Sequence, residues 1–308
     1  MDITALIKEN RPTIKQSSLN SYINSLKKLN NDKKIVDLNY LKDFKAIESI
    51  VKQRPITTQR AYITSILVVL SAYNKSEFDE VLTEYRAFLN DLNEDYDKEI
   101  QKHEKTDTQS KNWLPFSAFD KVRNDYLKQI NKSGIKKMQG GLSKMETELL
   151  QKYVVASLYT LVPPVRLDYG NMTIIRSLDK NDGKGNFLYV KSRNKKYFIF
   201  NDFKNVKKMG SQLHDIPPKL NTVLNLWLKF NRFKHLLSTQ SGNVLSDNGL
   251  SKYITKVFQP TGKTVTLNLL RHIFISENLD IEQSNKQLEI ANQMMHSQSV
   301  QLSYAKNI

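Results

Sequence analysis

The chain has 308 residues, of which 39% are hydrophobic and 25% are charged, a composition typical of a globular protein long enough for two domains with separate cores. The absence of cysteine excludes disulfide frameworks and thiol chemistry, and the five scattered histidines predict no metal site. The apolar stretches are too short to span a membrane, and the N-terminus does not have the pattern of a secretion signal. We therefore predict a soluble, intracellular protein without a membrane partner. The net charge of +16 is unevenly spread, with +6 in residues 1–70, −6 in residues 71–110 and +16 in residues 111–308, which favours a polyanionic partner such as nucleic acid over a merely basic soluble protein.

The first hundred residues predict a small helical domain. Apolar residues recur at helical spacing in the segment 17–29, at Leu19, Tyr22, Ile23, Leu26 and Leu29. A second helix is expected to begin near residue 38. A third follows "RPITTQ", where Thr57 or Thr58 can cap it, and a fourth runs from residue 76 to at least residue 93. We assign residues 1–103 to this domain and the polar stretch that follows, residues 104–113, to a linker.

The remaining residues, 114–308, predict a second domain that is mainly helical. Two amphipathic helices come first, in "PFSAFDKVRNDYLKQI" and "SKMETELLQKYVVASLYTL". Four short apolar strands follow from residue 171, in "MTIIRS", "GNFLYVKS", "KKYFIFND" and "SQLHDIP", with turn residues between them. Helical periodicity then returns to the end of the chain. The predicted fold class is therefore mainly α with a small antiparallel β-sheet.

Two arginines are candidates for binding a phosphodiester. Arg271 and Asn268 lie three residues apart in "TLNLLRHIF", so both project from one face of a helix. Arg166 follows a double proline in "LVPPVRLDYG", a rigid place to present a guanidinium, and Asp168 could orient it. Arg271 alone is better explained by a side chain that reaches from a core helix to solvent. Together the two arginines match the forked, permanently charged groups that stabilise a phosphoryl group in transfer.

Further candidates lie between the last two strands and at the end of the chain. Lys204 in "NDFKNVKKMG" could protonate a leaving 5′ oxygen. Basic residues that we predict to contact DNA phosphates, although a solvated turn explains most of them nearly as well, are Arg60, Lys191, Arg193, Lys195, Lys196, Lys207 and Lys208. The tail "MMHSQSVQLSYAKNI" holds His296 and Tyr304, and a phenol becomes a nucleophile where nearby cations stabilise the phenolate.

The ordered set of Arg166, Lys204, Asn268 with Arg271, His296 and Tyr304 resembles the active-site signature of the tyrosine recombinases, the phage-integrase family. The segment "LLRHIF" is similar to the family's Leu-Arg-His-Thr-Phe helix, and "MMHSQSVQLSYA" to its Gly-His-Ser ending with a tyrosine. Residues 1–103 resemble the family's helical core-binding domain, and residues 114–308 its α+β catalytic domain. The form "PPVRLDYGNM" is similar to integrases carried by virophages and other mobile elements of large DNA viruses.

The resemblance implies a site-specific integrase that cleaves and rejoins double-stranded DNA. Tyr304 would attack the scissile phosphate to form a 3′-phosphotyrosyl enzyme, Arg166 and Arg271 would hold the non-bridging oxygens, Lys204 would be the general acid and His296 would hydrogen-bond the phosphate. Neither a cofactor nor a metal is then needed. A homo-oligomer, in this family a tetramer on paired DNA sites, is the expected assembly.

Two other functions remain open at this point. A type IB topoisomerase would use the same chemistry to cut and reseal one strand without exchanging partners. A catalytically decayed integrase would bind DNA without turnover. The second alternative is favoured by Asn268, because the family usually has a histidine there and an asparagine cannot act as a base.

Overall fold

The computed structural model describes residues 1–295, apart from the side chain of Asn292, and it divides into a first compact unit, Met1–Lys105, and a second that begins at Thr106. The described residues are mainly helical and contain one four-stranded sheet. This confirms the predicted fold class of a mostly α protein with a small sheet. None of the helices in the described part of the chain combines the length and the apolar character needed to cross a bilayer.

The regular secondary structure of the first unit is helical, with the α-helices α1 (Ile3–Asn10), α2 (Gln16–Leu29), α3 (Phe44–Lys52), α4 (Ile56–Tyr73) and α5 (Asp79–Gln101). Leu19, Leu26 and Leu29 are buried, so the helical spacing identified the core-facing stripe of α2 correctly. Helix α4 begins directly after Pro55, before the predicted threonine caps, and no side chain caps it.

The second unit contains the helices α6 (Asp107–Asn112), α7 (Ser117–Ser133), α8 (Lys144–Thr160), α9 (Val206–Met209), α10 (Pro218–Phe230), α11 (Asp247–Val257), α12 (Leu267–Asn278) and α13 (Ile281–Gln293). Helix α8 starts with a capping box between Ser143 and Glu146, which satisfies two free N–H groups. It packs against α7, α10 and α11 and carries core residues such as Leu150, Val154 and Leu158. The buried helix α8 thus leads the chain from the core to the segment that contains Arg166.

Most of the stretch predicted as a linker, from Thr106 onward, falls in the second unit. Thr106 and Gln109 make a capping box that begins α6. The N–H of Thr264 donates to Oδ1 of Asn112 at 2.9 Å, and Nζ of Lys263 donates to the carbonyl of Lys111 at 2.7 Å. The polar composition of residues 106–112 therefore belongs to a capped surface helix rather than to a free connection.

The sheet consists of β1 (Thr173–Ile175), β2 (Phe187–Val190), β3 (Lys196–Phe200) and β4 (Gln212–Asp215), in that order. Strands β2, β3 and β4 pair antiparallel, whereas β1 pairs parallel to β2 with Thr173 opposite Phe187. The prediction of a wholly antiparallel sheet is wrong for this one pair. The Asp182 carboxylate accepts the N–H groups of Lys184 and Gly185, so the predicted Asp-Gly turn lies inside a connection, residues 176–186, that is long enough to return the chain in the same direction.

Candidate functional site

Arg166 lies in a turn whose carbonyl groups accept hydrogen bonds from α8 and from the turn itself. The buried hydroxyl of Tyr159, at the end of α8, donates to the Arg166 carbonyl at 2.9 Å. Gly170 N–H donates to the Leu167 carbonyl at 2.9 Å, and a Cβ on Gly170 would come within 2.6 Å of the Leu245 carbonyl oxygen. The Arg166 side chain itself is exposed. The turn is therefore rigid in its backbone and directs its guanidinium to solvent.

Arg271 reaches the same turn from α12. Its Nη1 donates to the carbonyl of Pro164 at 2.7 Å, while Leu270 and Ile273 beside it in the helix are buried in the core. Burial lowers the pKa of the Arg271 guanidinium, and the positive charge of Arg166 lowers this pKa further. The structure therefore brings together two arginines that are far apart in sequence, and their mutual repulsion leaves a place where an anion is favoured.

Asp168 lies beside this arginine pair. Burial raises the pKa of its carboxyl group, and the N–H groups of Asp168 and Arg166 with the Arg166 charge offset only part of this effect. The negative charge of Asp247 also raises this pKa, so the surroundings of the arginine pair hold carboxylates as well as the exposed guanidinium of Arg166.

Asn186, which the sequence analysis missed, connects the Arg166 turn to the segment of Lys204. Its side chain is 2% exposed. Nδ2 donates to the carbonyls of Asp168 at 3.2 Å and Asp202 at 2.9 Å, and Oδ1 accepts the N–H groups of Asn201 at 3.0 Å and Asp202 at 2.9 Å. All four hydrogen-bonding positions of this amide are used. A signal was present in the sequence, since a polar Asn directly precedes the apolar strand β2.

Lys204 lies two residues after Asp202, in the connection from β3 to β4. Its side chain is exposed, as are those of Lys207 and Lys208 in the short helix α9. The predicted hairpin is thus an antiparallel strand pair with a helical turn inserted in its connection. Through Asn186, the backbone before Lys204 is tied to the turn of Arg166, and Lys204 can reach solvent on a loop that starts from this anchored point.

Asn268 is exposed on α12, one turn before Arg271. The side chain of Thr266 caps this helix by accepting the N–H of Leu269 at 3.2 Å, so the start of α12 is fixed. Asn268 can donate a hydrogen bond to an oxygen of a bound phosphate but carries no group that could accept a proton from a phenol near neutral pH. His296 and Tyr304, the two remaining predicted site residues, lie outside the described residues.

The predicted DNA-contacting residues differ in their surroundings. Lys191 and Arg193 are exposed in the turn between β2 and β3, and Lys195 pairs there with Asp215, with Nζ and Oδ1 2.7 Å apart. In the first unit, Arg60 donates from Nε to Oδ1 of Asn93 at 2.7 Å and stacks over the ring of Tyr96 at 4.0 Å.

Lys196 corrects the prediction of a surface contact. Its side chain is 1% exposed, and Nζ donates to the Arg193 carbonyl at 2.7 Å and to Oδ1 of Asn221 and Asn225 at 2.7 and 2.6 Å. All three ammonium protons are used inside the protein. The alternation of strand β3 explains this, because Lys196 lies on the same face as Phe198 and Phe200.

Comparisons with known proteins add little to this geometry. No family model matches the sequence, and none of the curated proteins matches it. Among solved structures, the chain is similar to the crystal structure of XerA recombinase at 13% sequence identity, with 92% of this chain and 87% of that chain covered and a TM-score of 0.28.

Proposed function

We propose that this protein cleaves and rejoins DNA strands at specific sites through a covalent 3′-phosphotyrosyl intermediate, as a recombinase or integrase does. The observation that carries the proposal is the hydrogen bond from Arg271 to the Pro164 carbonyl. It holds a half-buried guanidinium beside the turn of Arg166, and two neighbouring guanidinium groups suit the two non-bridging oxygens of a phosphate.

The proposed chemistry takes its residue roles from the resemblance to the tyrosine recombinases. The Tyr304 oxygen would form a bond to phosphorus while the bond from phosphorus to the 5′ oxygen breaks, and a proton from Lys204 would convert the leaving oxygen into a free 5′ hydroxyl. Arg166 and Arg271 would stabilise the negative charge on the non-bridging oxygens, which is the largest electrostatic contribution available here. Rejoining is the reverse sequence, with the 5′ hydroxyl attacking the phosphotyrosyl ester, so the bond energy is retained.

Asn268 supports the catalytically decayed alternative. It would hydrogen-bond the phosphate in place of the family's histidine, and it would leave removal of the phenol proton to another group or to solvent. A slow enzyme would still form the covalent adduct, whereas a DNA-binding protein without turnover would form none. The adduct therefore distinguishes the two.

The partner in this proposal is double-stranded DNA. The net charge of +16 would strengthen binding to its phosphates. Three expectations from the sequence stay predictions. They are a homo-oligomer on paired DNA sites, an origin in a mobile element such as a virophage, and an intracellular location. Sequencing of captured recombination sites from a host genome tests the connection to a mobile element.

The deciding experiment is covalent capture on nicked suicide duplexes, in which the released strand diffuses away and traps the adduct. A pool of duplexes with random sequences around the nick removes the need to know the target. We expect an adduct with the wild-type protein that mass spectrometry assigns to Tyr304, no adduct with Tyr304→Phe despite retained DNA binding, and a strong loss of adduct with Arg166→Ala. Arg232→Ala, which removes an exposed arginine of the second unit, is the matched control and should react like the wild type.

The products distinguish the remaining alternatives. Recombinant strands between two duplexes identify a recombinase, whereas relaxed supercoils alone identify a topoisomerase. If the wild-type protein binds DNA but forms no adduct under any condition, the decayed alternative is correct and the enzyme proposal is wrong.

A further inference from the structure

A second positively charged cleft lies between the β2–β3 turn and α10. Its cavity volume is about 660 Å³. Five of the described residues that line it are basic and none is acidic, and the basic set is Arg176, Lys191, Arg193, Lys196 and Lys229. None of these residues belongs to the arginine pair or its supporting turn, so the cleft is separate in composition from the site described above.

The cleft has a buried charge on its lining. The Lys196 ammonium is 1% exposed, and its three acceptors, the Arg193 carbonyl and the side-chain oxygens of Asn221 and Asn225, are all neutral. Burial lowers the pKa of Lys196, and the charges of Arg176 and Arg193 act in the same direction. A buried charge is normally balanced by a partner of opposite sign, and the described residues that line this cleft provide none.

The exposed cations are also free to meet an anion. Within the described part of the chain, Arg176, Lys191 and Arg193 form no ion pair. The neighbouring Lys195 differs, because it is paired with Asp215, and it does not line the cleft. The positive potential is therefore concentrated where Arg176, Lys191 and Arg193 stand around the buried ammonium.

The backbone that carries these cations is held in place. Lys196 Nζ and Asn221 Nδ2 both donate to the Arg193 carbonyl, at 2.7 and 3.2 Å, which ties the turn to α10. Within the turn, Ser192 N–H donates to the Lys195 carbonyl at 3.0 Å, and Lys195 N–H donates to Ser192 Oγ at 3.1 Å. A site whose backbone is fixed before binding loses less entropy when the anion arrives.

We propose that this cleft binds a phosphate group and that, in the complex with DNA, the group is a backbone phosphate outside the scissile position. The cleft takes a phosphate rather than a carboxylate because its exposed arginines come from two elements, Arg176 from the residue after β1 and Arg193 from the β2–β3 turn, and a tetrahedral anion offers oxygens in both directions. The phosphate chemistry stands on the cleft alone, and only the identification of DNA as its source rests on the proposed function.

The test compares two double variants with the same change in charge. Arg176→Gln with Arg193→Gln removes two exposed cations of the cleft, and Lys121→Gln with Lys252→Gln removes two exposed cations that do not line it. The first readout is the melting temperature with inorganic pyrophosphate at constant ionic strength. We expect pyrophosphate to raise it for the wild type and the control pair, and we expect a smaller rise for the cleft pair, in which only the arginine pair of the candidate functional site is left to bind the anion. No rise for the wild type, or an equal rise for both pairs, overturns the site.

The second readout is the salt dependence of binding to a DNA duplex, measured by fluorescence anisotropy. Loss of one phosphate contact lowers the slope of log affinity against log salt by about 1, and we expect this change for the cleft pair relative to the control pair. Equal slopes for the two pairs overturn DNA as the source of the phosphate. If the wild type binds no DNA while the pyrophosphate result is as expected, the phosphate site is supported and the proposed function fails instead.

Discussion

Replacement of Arg271 by alanine separates a functional arginine from a structural one. In the proposed mechanism Arg271 donates to a phosphate oxygen whose negative charge is stabilised in the transition state. Removing one such preorganised donor costs about 2.7–4 kcal/mol of transition-state stabilisation, which is about 10²–10³ in rate. We therefore expect the rate of adduct formation to fall by that factor, with a much smaller change in DNA affinity, which depends on many other phosphate contacts.

The effect on stability follows from two opposing contributions. The variant loses the hydrogen bond from Nη1 to the Pro164 carbonyl, and a hydrogen bond from a charged group contributes about 1.5–3 kcal/mol. It also relieves the burial and the repulsion by Arg166 that lower the pKa of this side chain. Because these contributions oppose each other, the free energy of unfolding should change by less than about 2 kcal/mol.

Single-turnover capture on the suicide duplex and denaturant unfolding measure the two quantities. Arg271→Lys keeps the charge but loses the fork, so it should restore affinity better than rate, and Arg232→Ala should match the wild type in both assays. The reasoning is refuted if Arg271→Ala lowers the adduct rate by less than about tenfold. A loss of unfolding free energy well above 3 kcal/mol with an unchanged rate per folded molecule would show that Arg271 only supports the fold.

Three further predictions concern single side chains. Asn186→Ala leaves four backbone groups without their side-chain partner. The free energy of unfolding, measured with denaturant, should therefore fall by about 2–4 kcal/mol, and adduct formation on the suicide duplex should slow. Unchanged values in both assays contradict the role given to Asn186. Lys196 has a lowered pKa in the folded state, so the unfolded state binds more protons above that pKa, and the wild type should gain unfolding free energy relative to Lys196→Met as the pH rises toward about 10.4. Burial raises the pKa of Tyr126 to about 12, so its contribution is complete below the unfolded pKa of about 10 and is lost as the pH rises through the folded value. Tyr126→Phe removes the 2.7 Å bond to the Val257 carbonyl, and it should cost about 1–2 kcal/mol at neutral pH and show a shallower loss of unfolding free energy between pH 10 and 12.

The local elements of this protein were accessible from sequence because their signals are local. Helical spacing in α2 and the apolar run of α8 identify the faces that these helices bury, and the four strands fall where short apolar segments alternate with turn residues. Whether β1 pairs parallel or antiparallel to β2 could not be predicted from such local signals. It depends on where the connection between β1 and β2 returns, and the Asp-Gly turn inside it is equally compatible with a hairpin.

By itself, the sequence determined the helical and strand segments, the excess of positive charge and the presence of the two arginines. Only the tertiary structure decided which side chains face each other. It placed Arg271 on the Pro164 carbonyl, connected the turns of Arg166 and Lys204 through Asn186, and buried Lys196 among neutral acceptors. The physical reason is that residue type and spacing report the period of one element, whereas burial, desolvation and hydrogen-bond partners depend on the elements packed against it.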